Sequence, residues 1–416
     1  MRPVVGAYLG MPHNAKGKLP ALLSQTGVFK DTRSLQPADG LIPYDLAVPF
    51  WSDGASKRRW VALPGGKIKF SPVGEWSFPR GTVFVKTFVM AVDETQPEVK
   101  RRLETRLLVV DSDDGVYGAV YKWRADESDA DLLDSSLSEE IRIKTAGAER
   151  QQSWYYPSRK DCLTCHNAKA RGVLGVKTRQ LNHAFTYPSG VQDNELRAWN
   201  HIGLFEPAID EQELVRLPKL AASNDLERSL EDRARSYLDA NCAHCHRPGG
   251  TVAYFDARYD TPLDQQGLID GPILISQGID KPRVIAAHDL WRSIAFMRVS
   301  TNEDIRMPPL ARKRIDEQGV ALIRAWVTSL PGPPVLDPPT ISPAGGTYHT
   351  PIDVTLSNSE AEADIRYTLD GSVPGPTDLH YEKPIRLTDS TVLRTRAYKS
   401  GFTRSITAQQ VFSFAQ

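Results

Sequence analysis

This chain of 416 residues contains only four cysteines, and they fall into two tight groups: Cys162-Leu163-Thr164-Cys165-His166 and Cys242-Ala243-His244-Cys245-His246. Each reads C-x-x-C-H. Two thiols at this spacing reach the two vinyl groups on one edge of a porphyrin, and the imidazole that follows comes to lie under the ring as a proximal iron ligand. Three plainer readings compete. A four-thiolate zinc site joins pairs about 15–20 residues apart, whereas 76 residues lie between Cys165 and Cys242. A thioredoxin-like pair wants a strand-to-helix setting, which neither group shows in the sequence. Local disulfides give no reason for the histidines. With 9 His in the chain, chance placement of one after both pairs is roughly one in two thousand. The expected cofactors are therefore two covalently bound haem c groups. Cys162 and Cys165 would hold one and Cys242 and Cys245 the other, with His166 and His246 on the irons.

Thioether attachment takes place outside the bacterial cytoplasm, so a periplasmic or otherwise exported location is expected. The first 30 residues lack the 7–15-residue apolar core of a signal peptide, so no export signal is expected within this sequence. Lys and Arg together number 51 and so do Asp and Glu, which leaves no basic footprint for nucleic acid. No apolar run approaches the ~20 residues of a membrane helix. Neither a nucleic-acid partner nor a membrane span is expected.

The expected fold class is multidomain α+β. Residues 1–40 read as an irregular lead-in and 41–222 as a β-rich haem domain carrying the first motif. Its strands are Thr82–Val92, Arg102–Val110 and Val116–Trp123, β-branched and aromatic, with a turn at Asp111–Gly115. Calcium at Asp111, Asp113 and Asp114 is disfavoured because the Glu that closes an EF-hand loop is missing. A short helix is expected from Asn194 to His201. Residues 223–331 read as an α-helical domain: Leu226, Leu230, Ala234, Tyr237 and Leu238 recur at helical spacing into Cys242, and Asp316 can cap a final helix through Val320, Ile323, Trp326 and Leu330. A Pro-rich linker, 332–340, precedes a β-sandwich at 341–416.

Met307-Pro308-Pro309 lies 61 positions beyond His246, far enough for the chain to round a porphyrin and return on its other side. Met307 is the expected sixth ligand of the second iron, with His288 as runner-up. A lone Met otherwise fills core space. No Met follows His166 at a comparable interval, so His201, His183 or a group from the β domain is the candidate distal ligand of the first iron. Phe50-Trp51-Ser52-Asp53-Gly54 reads as an ordinary Asp-Gly turn rather than a metal carboxylate.

Several stretches resemble known families. The second motif with Met307-Pro308-Pro309 and its flanking helices resembles class I cytochrome c over 225–331. Residues 20–331 resemble a family of bacterial dihaem c-type cytochromes through Leu23–Phe29, Ile42–Asp45, Phe50–Lys57 and Trp154–Ser158. Some members of that family are joined to, or encoded near, quinone-dependent sugar dehydrogenases. Residues 70–166 are similar to the β-barrel haem fold of β-type cytochromes c-prime through Phe78–Lys86. In one branch of that fold a strand Lys is cross-linked to the porphyrin, and Lys86 is the matching position, although an exposed strand Lys is the expected state. Residues 340–416 resemble the immunoglobulin-like C-terminal module of chitobiase-type proteins. Together these imply an electron carrier more than a catalyst, taking electrons from a donor such as a sugar dehydrogenase and passing them to an acceptor cytochrome or oxidase. The alternative is a haem enzyme, a peroxidase or an oxidase of small nitrogen compounds, at a five-coordinate first haem. Carbohydrate contact by the C-terminal module would be supported by exposed aromatics, with Tyr348, Tyr367, Tyr381 and Tyr398 as the larger candidates.

Overall fold

The computed structural model describes residues 9–12, 14–111, 115–310 and 312–415. Asp113 and Asp114 of the expected turn lie outside the described residues. The chain forms two compact units. The first comprises 1–252, 256–262 and 299–322, and the second 253–255, 263–298 and 323–416, so parts of the expected 223–331 segment fall in each.

The first unit is built on a six-stranded antiparallel sheet in consecutive order: β1 (Ile42–Tyr44), β2 (Ser56–Ala62), β3 (Val83–Ala91), β4 (Lys100–Val110), β5 (Val116–Trp123) and β6 (Ala130–Leu132). Strands β3, β4 and β5 bury apolar side chains on both faces, because both faces are covered. Val83, Val85, Leu107, Ala119 and Tyr121 face a core completed by Leu23 and Phe29. Phe84, Val110 and Val116 face another completed by Trp76, Trp199 and Phe205. The alternation follows from the period of two in a strand. The hairpin β7 (Leu137–Thr145) and β8 (Ala148–Tyr156) follows and leads to helix α1 (Arg159–Cys165).

Helix α2 (Glu195–His201) forms where expected, capped by Asn194. Helix α3 (Leu230–Cys242) starts later than its apolar pattern suggests. Ser229 Oγ accepts from the Asp232 backbone N–H at 3.0 Å and fixes the start, leaving Leu226 82 % exposed. Ile294–Val299 is a short helix, α4. Helix α5 (Glu317–Ser329) begins after Asp316, which accepts from the Gly319 N–H at 3.0 Å. Most of 243–316 is turns and bends. The structure is therefore mostly β with few helices. The helices flanking the second motif are present, but a self-contained helical domain between them is not.

The C-terminal part of the second unit is sandwich-like. A three-stranded sheet and a five-stranded sheet enclose Val354, Leu356, Leu393 and Phe412. Tyr348, Tyr367 and Tyr381 pack against that core and the Tyr398 hydroxyl donates to Pro374 O, so these tyrosines do not form an exposed aromatic face. Among the described residues no helix is long and apolar enough to cross a membrane.

Tyr237 of α3 and Gly319 of α5 meet closely. A Cβ at Gly319 would stand 2.4 Å from the Tyr237 ring. Gly319→Ala is expected to lower stability by about 1–3 kcal/mol through overpacking. Urea denaturation followed by fluorescence would measure it, and an unchanged midpoint would contradict this packing.

Candidate functional site

Both motifs fold as a single helical turn. The His166 backbone N–H donates to Cys162 O at 2.9 Å, and the His246 N–H donates to Cys242 O at 2.9 Å. Helix α1 is started by a capping box. Ser158 Oγ accepts from the Asp161 N–H at 3.2 Å, and Asp161 accepts from the Ser158 N–H at 2.8 Å. The first motif thus does sit in a strand-to-helix setting, as the last turn of α1, contrary to the sequence reading. Its thiol is nevertheless unlike a thioredoxin nucleophile, because burial pushes the Cys162 pKa up rather than down. All four cysteines are free.

The first motif faces a cavity of about 190 Å³ whose floor is the β-sheet. Cys162 lies over Gly118 of β5, where a Cβ would approach its Sγ to 3.0 Å. Along the same face Arg59, Lys86 and Arg106 are cross-strand partners on β2, β3 and β4. Arg59 pairs with Asp45 and Arg106 with Glu104 at 2.6 Å. Lys86 lies between them, half-buried and lining the cavity rather than exposed. Burial first, then the two arginines, pushes its pKa down to about 7. Lys57 lines the cavity too and is pushed well below the ordinary lysine value, chiefly by burial.

His166 is prepared as a ligand. Its Nδ1 is 2.7 Å from Gly172 O, which places the proton on Nδ1 and leaves the Nε2 lone pair free. Burial above all, with Lys86 nearby, pushes its pKa down to about 3, so the ring is neutral at pH 7. The other expected ligands are elsewhere. His201 is exposed at the end of α2, and His183 is 3.3 Å from Glu195. Neither lines this cavity, whereas His244 does. Arg159 reaches Ala15 O at 2.9 Å and Lys160 is exposed.

The second motif opens on a cavity of about 560 Å³, shared by Cys242, Cys245, His246 and Met307. Sequence reasoning paired His246 with Met307, and the structure brings them to one cavity. The Met307–Pro308 peptide is cis rather than part of a plain extended strand. His288 is held in the second unit, its Nδ1 3.2 Å from Leu330 O, and does not line the cavity.

Three residues that sequence reasoning missed position these groups. Arg312 is 3 % exposed and donates to Met307 O at 2.8 Å, Val299 O at 2.8 Å and Thr301 O at 2.9 Å. Asp53, read as an ordinary turn residue, is buried and accepts from the Lys313 N–H at 3.0 Å and the Arg314 N–H at 2.9 Å. Glu75 accepts from Arg247, next to His246, at 2.8 Å. Only for Arg312 was there a signal, the charged run Arg312-Lys313-Arg314-Ile315-Asp316; Asp53 and Glu75 stand as single charges among uncharged neighbours.

A family profile described as the chitobiase/beta-hexosaminidase C-terminal domain matches residues 343–409, so the sandwich is an immunoglobulin-like module of that type. Comparison with curated proteins and with solved structures finds no match.

Two outcomes follow from this geometry. Gly118→Val fills the space under Cys162 and is expected to lower attachment of any group at the first motif at least severalfold, as read by intact mass, without affecting the second. Burial, the largest single influence, raises the Glu75 pKa, but the Arg247 hydrogen bond together with the charges of Lys177, Arg247 and Arg258 outweighs it and holds the carboxyl below its ordinary value. The pair therefore stabilises fully above the ordinary Glu pKa of about 4.3 and stops doing so as pH falls through the folded value. Glu75→Ala should cost about 3 kcal/mol at pH 7 and progressively less in acid, measured by denaturation at several pH values.

Proposed function

We propose that this chain is a dihaem c-type cytochrome that carries electrons outside the cytoplasm. The observation that carries this reading is the pair of similarly folded C-x-x-C-H turns, each opening on a cavity, with Met307 sharing the second cavity with His246. Cys162 and Cys165 would hold one porphyrin and Cys242 and Cys245 the other. His166 and His246 would supply the proximal nitrogens, and Met307 the sulfur on the second iron. Bound haem supplies a one-electron iron couple, and a thioether ligand raises its potential.

The second cavity, at about 560 Å³, falls within the usual 300–1,000 Å³ of small-molecule sites. The first, at about 190 Å³, takes a porphyrin only if its side chains rearrange. Its chemistry suits one. The neutral His166 presents a lone pair, and Lys57 and Lys86 line the same cavity, where the carboxylates that every haem carries would favour their protonated, cationic forms. Arg312 would hold the Met307 loop in place. Partners would be a donor dehydrogenase and an acceptor cytochrome or oxidase, meeting this chain through a small, transient contact. Carbohydrate contact by the C-terminal module extends the proposal on the strength of the chitobiase-type match.

A second reading, small-molecule chemistry at the first haem, is favoured by one observation: neither His183 nor His201 lines its cavity. A third, a metal ion held by Cys165, His244 and Cys245, is favoured by their ligand atoms lying within 4.8 Å of one another.

Expression with a haem-maturation system, followed by intact mass and a pyridine haemochrome spectrum, tests all three. Two haems are expected, and a bare-chain mass with bound zinc would reject the proposal. Carbon monoxide added to the reduced protein should leave the second haem unchanged, and a shifted Soret component would assign the first to ligand chemistry. Met307→Ala should abolish the weak far-red sulfur-to-iron band and lower one potential by on the order of 0.1 V. Persistence of the band would refute the ligand assignment.

A further inference from the structure

The inner cysteines of the two motifs are 80 positions apart in sequence and are neighbours in space. Cys165 Sγ, Cys245 Sγ and a ring nitrogen of His244 lie within 4.8 Å of one another. This closeness is built into the surrounding structure. Arg247, two residues past Cys245, is 8 % exposed and donates both to Glu75 at 2.8 Å and to Lys169 O at 3.4 Å, beyond the first motif. Gly249 turns with φ +72°, and a Cβ there would stand 3.5 Å from the Lys169 side chain. His244 is buried, edge-on to Phe50 with ring centres 5.6 Å apart, and it lines both cavities.

Resting on the two-haem reading above, we propose that the two porphyrins are anchored to this chain at adjacent edges and act as one electronically coupled pair. Each thioether places its sulfur two bonds from the porphyrin ring, adding about 3 Å per haem. With the sulfurs at most 4.8 Å apart, the attached ring edges are separated by no more than roughly 11 Å. Tunnelling falls exponentially with that separation, so an electron delivered to either iron is shared between them. The exchange is balanced: one iron goes from ferrous to ferric as the other goes from ferric to ferrous, with no bond made or broken. One docking face near either haem would then serve both.

The test is Soret circular dichroism on the full-length holoprotein, with the haem count fixed by intact mass. Adjacent porphyrins couple their transition dipoles, so the two-haem protein should give a two-signed band. Cys162→Ala/Cys165→Ala and Cys242→Ala/Cys245→Ala, each keeping one haem, should give single-signed bands. A two-haem protein whose spectrum equals the sum of the single-haem variants overturns the pairing and leaves the dihaem reading intact. A mass with fewer than two haems overturns both. Electron paramagnetic resonance of the wild type needs no variant: the oxidised signals should be broadened by mutual coupling and should sharpen on half-reduction. Signals already sharp in the fully oxidised two-haem protein overturn the pairing.

Discussion

Arg59, Lys86 and Arg106 stand in register on three neighbouring strands, and this row of like charges constrains the first unit more than any other contact. Neighbouring strands are about 5 Å apart, and like charges placed opposite one another repel. A face that carries such a row cannot be sealed as apolar core. Asp45 and Glu104 neutralise the two ends, and the centre is eased by the Lys86 amine losing proton affinity. What remains is a cavity floor with a bias towards anions. Helix α1 then lies over the one position of β5 without a side chain, Gly118, and delivers Cys162 to this floor. Sheet register, cavity and motif are thus linked by a single electrostatic necessity.

The second cavity rests on a different device. Met307 belongs to a segment with little regular structure, so secondary structure cannot fix its distance from His246. Two buried charges do so instead. Arg312 draws three backbone carbonyls around one guanidinium. Asp53 fixes the following turn through two backbone N–H groups. Charge-assisted bonds to otherwise orphaned backbone groups are stronger than neutral ones, and here they do what a helix does elsewhere. Such an arrangement positions a soft sulfur ligand while leaving its side chain room to adjust.

The strands at 83–91, 100–110 and 116–123 were legible in the sequence because β-branched and aromatic runs have few other uses. The starts of α2 and α5 were legible because Asn194 and Asp316 carry capping chemistry. The start of α3 was misjudged since Leu226 fits the helical period, yet Ser229 captures the first turn and leaves Leu226 in solvent. The helical domain was overestimated because two helices at the ends of a segment say nothing about what lies between them, and 243–316 is largely turns. His201 was drawn in as a ligand by sequence nearness to the first motif. Its place on α2, capped at Asn194 and packed through Leu196 and Trp199, leaves it exposed at the helix end. Lys86 shows the reverse: a strand lysine looks solvated until cross-strand register shows which face it occupies.

The proximity of Cys165, His244 and Cys245 invites a metal-ion reading, and the remaining residues decide how much that reading explains. Structural zinc sites close with four protein ligands, whereas this cluster has three, and neither Cys162 nor Cys242 belongs to it. A metal there would leave two cysteines without a role. It would also leave unexplained why a histidine follows each pair, why His166 has its Nδ1 engaged by Gly172 O, and why His246 shares a cavity with Met307. The haem reading uses all four thiols, both following histidines and the methionine. It turns the close approach of Cys165 and Cys245 from a rival site into the geometry of two neighbouring attachment points. His244 then has its own place: a buried ring that lines both cavities where the motifs meet.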